Sequence, residues 1–169
     1  MPSLSSLVLL LFPLIMAFTA CSDLFTMRIS NRVVLLLVAI FCAVAVGIHM
    51  PLEEFGLHVA CATAVLVVAF ILFAMGQVGG GDAKLAAATT FWLGFGATLP
   101  YLVDASLIGG MLTLMILAAR RFPLPNFLAR VDWIDRLHDS KTRIPYGIAL
   151  AIAGIFAYSD TTVFQRLVG

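Results

Sequence analysis

The chain has 169 residues, of which 62% are hydrophobic and 11% charged, against about 45–50% and about 25% in soluble domains. Its mean hydropathy is +1.09, and a chain this short cannot hide so much apolar surface from water, so a soluble globular enzyme, a disordered protein and a nucleic-acid binder are excluded and a polytopic membrane protein is left. The net charge of +1 says nothing about partners; the placement of the charges between apolar runs does.

Six apolar segments follow in chain order, at about 7–22, 33–50, 57–78, 83–99, 102–119 and 146–163. A crossing helix takes about 20 residues, so six take up roughly 120. The expectation is an all-α fold with about six transmembrane helices, a single integral-membrane domain over residues 1–169, short loops and no separate soluble domain. Phe18-Thr19-Ala20-Cys21 loosely resembles a lipoprotein cleavage box. A signal peptide, however, begins with positive charge, and no Lys or Arg precedes Arg28. The first segment is therefore read as a span.

The loops between these segments differ in sign. Arg28 and Arg32 follow the first segment, Lys84 the third, and Arg120, Arg121, Arg130, Arg136, Lys141 and Arg143 the fifth. The loop after the second carries Glu53 and Glu54 and no cation, and a fifth loop is expected at Pro100-Tyr101. Nine of ten basic residues thus fall in alternate loops. The positive-inside rule puts those loops in the cytoplasm and both termini outside. Within the long basic loop, Asn126 is expected to cap a helix running to about His138. Phe127, Leu128, Val131, Ile134 and Leu137 recur there at helical spacing, as in a helix lying in the cytoplasmic interface.

Cys21, Cys42 and Cys61 are odd in number and form no Cys-x-x-Cys pair, which leaves no zinc knuckle or disulfide framework. His49, His58 and His138 are scattered. No metal or organic cofactor is expected. Gly76 and Gly80 have the spacing of a tight helix-packing pair.

Two acids stand at the cytoplasmic boundary. Asp23 ends the first segment, and Asp82 opens the fourth, directly after Gly79, Gly80 and Gly81. An ionisable group at membrane depth usually faces a bundle interior or a wet cavity. Two neighbouring carboxyls can share a proton and so supply a general base and a general acid. Glycines before an acid give either an unusual turn or room for close approach. Asp23 at a helix end and Asp82 at a helix start suggest Asp82 as the base and Asp23 as the acid. The plainer alternatives are an Asp23–Arg28 pair and an Asp82 N-cap.

The combination resembles the type IV prepilin peptidases, in the short form that serves Flp-type pili. It rests on Asp23-Leu24-Phe25-Thr26-Met27-Arg28-Ile29-Ser30-Asn31, on Gly79-Gly80-Gly81-Asp82-Ala83-Lys84, and on Pro145-Tyr146-Gly147. Ser30 stands where that family usually has Pro, a departure expected to loosen the turn. The resemblance implies an intramembrane aspartyl protease with Asp23 and Asp82 catalytic, and with Gly79, Gly80, Gly81, Lys84, Asn31 and Tyr146 shaping the site. It implies prepilin and pseudopilin substrates with a basic leader and an apolar helix, cut at the cytoplasmic face of the bacterial inner membrane. The larger members' cytoplasmic domain with two Cys-x-x-Cys pairs has no counterpart here, which implies a peptidase without N-methylation. A small proton-coupled carrier or channel and a non-catalytic pilus-assembly subunit are the alternative readings.

Overall fold

A computed structural model describes residues 4–125 and 127–168. The described residues form seven helices and no strand: α1 (Leu4–Thr26), α2 (Asn31–Gly47), α3 (Leu52–Ala74), α4 (Gly80–Ala119), α5 (Asp132–His138), α6 (Gly147–Tyr158) and α7 (Thr162–Val168). Three of them, α1, α3 and α4, are long and apolar enough to cross a membrane; the α6–α7 pair, bent by 53°, makes a fourth if taken as one span. The 17-residue α2 is apolar but shorter. Leu66, Val67, Phe70 and Ile71 of α3 are exposed, and of α3 only His58 and Cys61 are buried. Such a helix, apolar all round with most of its surface outward, suits a hydrocarbon solvent.

The fourth and fifth segments form the two arms of α4, but no loop separates them at Pro100-Tyr101. A straight helix of its 40 residues would measure about 60 Å, twice the ~30 Å hydrocarbon thickness. The break falls instead at Gly94, whose φ of 66° and ψ of −179° are non-helical and cost glycine alone no Cβ clash. Ala83 and Ala86 before the break and Leu102, Ala105 and Ser106 after it line one cavity, so α4 folds back on itself. His58 and Cys61 dock at the bend. His58 Nδ1 bonds the Phe91 carbonyl at 2.7 Å, and Cys61 Sγ meets Thr98 Oγ1 at 3.1 Å. Pro100 sits inside the second arm, where the single lost backbone bond is tolerated.

Other ends differ from expectation for local reasons. α3 stops at Ala74, short of residue 78, in a Schellman turn: Gln77 N–H bonds Leu72 O and Gly76 N–H bonds Phe73 O, both at 2.9 Å. Gly76 supplies the φ of 76° and touches nothing, so it is a terminator and not a packing residue. Ser30 does not loosen its turn. It is the N-cap of α2, its hydroxyl accepting the Arg32 N–H at 3.2 Å. α6 ends at Tyr158 rather than residue 163, and α7 follows after a turn. α5 begins only at Asp132, because Val131 is extended (φ −101°, ψ 105°). The Asn126 cap lies outside the described residues.

The core is an aromatic cluster. Phe12 packs on Trp92 and Tyr158, and Phe41 on Phe91 and Trp92. Trp92 Nε1–H is satisfied by the Leu37 carbonyl at 2.9 Å. Around it, the end of α1 and the starts of α2, α4 and α6 gather at one end of the bundle with the basic segments. Glu54 and Arg166 pair at the other, at 2.6 Å.

Candidate active site

The site forms where α1 stops. Met27 takes a left-handed conformation (φ 55°), and its N–H closes on Asp23 O at 2.8 Å. This places Asp23 in the last full turn with its side chain inward, 5% exposed. Arg136 of α5 satisfies the freed Phe25 carbonyl at 2.6 Å, and Trp133 stacks edge-on against the Phe25 ring.

Asp82 is not the N-cap of α4. Gly79 is, in an extended conformation (φ −72°, ψ 141°), and Asp82 lies three residues on. Its carboxyl turns back toward Gly79 at the helix start. The glycine run works through space: a Cβ on Gly79 would stand 2.5 Å from Asp82 Oδ2, one on Gly81 3.1 Å from Ile29 Cβ, and one on Gly80 3.2 Å from the Phe73 ring.

Asp23 and Asp82 line the same pocket, about 290 Å³ in volume, with Ile29, Gly79, Gly80, Gly81, Arg143 and Tyr146 among its walls. Asp23 Oδ2 accepts the Gly147 N–H, the first of α6, at 2.8 Å. Each acid therefore faces the start of a helix, Asp82 that of α4 and Asp23 that of α6. Their positions on their own helices do not separate their roles. Arg28, too, lines the pocket but forms no ion pair with Asp23 among the described residues.

A second, larger cavity of about 830 Å³ opens beside the first. Its wall on α3 is a stripe of Ala64, Val65, Val68, Ala69 and Leu72, and Ala83, Ala86, Leu102 and Ala105 face it from α4. Gly79, Asp82, Arg143, Ile144 and Tyr146 belong to both cavities.

Tyr146 stands at that junction. Its hydroxyl donates to the Ala105 carbonyl at 3.0 Å, and its ring fills the space that a side chain on Gly109 would need. Lys84 and Asn31 do not join the acids. Lys84 Nζ donates to Asn31 Oδ1 at 3.1 Å, and neither residue lines either cavity. The cation beside Asp82 is Arg143, which sequence reasoning had counted only as a topology charge. Gly147 was also missed as a site residue. Its place in Pro145-Tyr146-Gly147 was the signal, and a Cβ there would stand 2.7 Å from Asp23 Oδ2.

Among the described residues, no group of three His, Cys, Asp or Glu is placed to hold a metal ion. What the pocket offers is two carboxyls beside the Arg28 and Arg143 side chains, with room for water. A model of the type IV leader peptidase family matches residues 10–114, from the middle of α1 to the second arm of α4. No curated protein and no solved structure matches the chain.

Proposed function

The chain belongs to the type IV leader peptidase family, and on that footing we propose that it is an intramembrane aspartyl endopeptidase acting through Asp23 and Asp82. Its substrates are Flp-type prepilins and pseudopilins, whose short leader it removes at the cytoplasmic face without N-methylation. The observation that carries the reading is the single pocket lined by both acids. One carboxylate takes a proton from water as the oxygen attacks the scissile carbonyl carbon. The other, protonated, gives its proton to the amide nitrogen as the C–N bond breaks. The carboxyls are then left with protons exchanged, ready for a second water. No metal or organic cofactor enters these steps.

Several features support the finer parts. The basic segments cluster at the acids' end of the bundle, as the positive-inside rule requires of a cytoplasmic site. A bilayer passage by α2 and by each arm of α4, beside α1, α3 and the α6–α7 pair, would make six crossings. Cys21, Cys42 and Cys61 form no Cys-x-x-Cys pair, which supports a peptidase without the larger members' cytoplasmic domain.

The test is prepilin conversion by Asp23→Asn, Asp82→Asn and the double variant at matched membrane levels. Each single variant should lose about a hundredfold or more, and the double should be no worse, as for groups acting as a unit. Substantial conversion by either single variant overturns the reading.

A further inference from the structure

Arg143 sits in the connection between α5 and α6, which is tied down on both sides. Arg120 Nε and Nη2 donate to the carbonyls of Leu137 (2.9 Å) and Thr142 (3.1 Å), and the Asp139 carboxylate accepts the Lys141 N–H at 2.9 Å. Beyond it, Tyr146 and Gly147 are fixed to Ala105 and Asp23. The side chain of Arg143 reaches toward the head of α4, its Nη1 standing 3.9 Å from where a Cβ on Gly79 would be. Among the described residues the one ion pair is Arg166–Glu54. Arg143 therefore lies beside Asp82 without closing a salt bridge on it.

Apart from Arg143, the side-chain donor at the junction of the two cavities is already engaged. The Tyr146 hydroxyl donates to the Ala105 carbonyl. Arg28 lines the pocket of the acids but not the larger cavity. A peptide cut at these acids must be unwound there, and its carbonyls lose their helical partners in surroundings where an unpaired polar group is costly. A guanidinium has five donors in a planar fork.

We propose that Arg143 grips the substrate main chain where it passes between the apolar cavity and the pocket of the acids, donating hydrogen bonds to a peptide carbonyl. This rests on the peptidase reading above. The contact is made with the bound peptide before bond cleavage as well as during it, so it contributes uniform binding.

The experiment is steady-state conversion of a purified Flp-type prepilin, leader intact, by the detergent-solubilised full-length protein, Arg143→Gln and Arg143→Lys. The Gln variant should raise KM about ten- to a hundredfold, the worth of a charged donor, and leave kcat within about threefold. The Lys variant, which keeps a charged donor, should recover part of the loss. If the Gln variant fails to accumulate, the Lys variant alone decides, by its KM. An unchanged KM overturns the proposal, and so does a fall in kcat at constant KM, which would make Arg143 a partner of Asp82 rather than of the peptide. Wild-type conversion lost in Asp82→Asn, measured alongside, keeps the peptidase reading standing if the grip fails. An inactive wild type removes both.

Discussion

The backbone N–H of Gly147 and the carboxylate of Asp23 meet at 2.8 Å, across 124 positions of chain. That bond ties the start of α6 to the end of α1. It also leaves no space at residue 147, where a Cβ would stand 2.7 Å from Asp23 Oδ2 and 2.8 Å from Ile29 Cδ1. Gly147→Ala should therefore displace the acid while leaving the apolar packing of α6 in place. Because a misplacement of about 1 Å can cost a hundredfold in rate, prepilin conversion should fall by about tenfold or more at normal membrane levels. Conversion at the wild-type rate would mean that Asp23 does not need this position.

Lys84 should tolerate replacement. Its ammonium is engaged by Asn31 at an exposed position, away from both cavities. Exposed polar pairs of this sort contribute about 1 kcal/mol or less. Lys84→Ala and Asn31→Ala should each convert prepilin within about threefold of wild type. A loss of a hundredfold in Lys84→Ala would show that the side chain leaves Asn31 to serve the acids.

Tyr146 and Gly109 should respond unequally. Tyr146→Phe keeps the ring and gives up one hydrogen bond to Ala105, a loss of about 1 kcal/mol. Gly109→Ala puts a methyl into the ring itself, and the ring must leave the junction of the two cavities. Thermal unfolding in detergent and conversion rates should both rank Gly109→Ala well below Tyr146→Phe. The reverse order would mean that the hydroxyl, not the ring position, matters.

Gly94 and His58 form one structural unit at the bend of α4. An alanine at Gly94 would carry a φ of 66° and place its Cβ 3.0 Å from His58 Cε1. Backbone strain of that kind costs about 1–3 kcal/mol. His58→Phe would leave the buried Phe91 carbonyl without its partner, again about 1–3 kcal/mol. Both variants should melt earlier than wild type. The double variant should lose less than the sum, since the sites touch. Strict additivity would separate the histidine from the bend.

Legibility in the sequence followed the range of the interactions. The two acids could be read because each sits at a helix boundary that its neighbours declare: Arg28 to Asn31 after Asp23, and three glycines before Asp82. The bend at Gly94 could not, because Pro100 is the stronger breaker by local rules, and the choice of Gly94 is made by His58 and Cys61 from another helix. Arg143 was counted only for its sign, since its nearness to Gly79 joins segments more than sixty positions apart. The Lys84–Asn31 contact was hidden for the same reason, since it joins segments more than fifty positions apart. Lys84 follows Asp82 by two positions, but its side chain turns to Asn31 and away from the acids.

The sparse burial of α3 has a mechanical consequence. This helix is fully buried at His58 and Cys61 near one end and stopped by the Gly76 turn at the other. Between those points the Ala64–Leu72 stripe looks into the larger cavity and most of the remaining surface looks outward. Its inner side packs along α4, and its outer side has only the surrounding lipid against it. Lateral pressure from the surrounding lipid then bears directly on the width of the cavity, so bilayer thickness and chain packing become controls on what the cavity can admit.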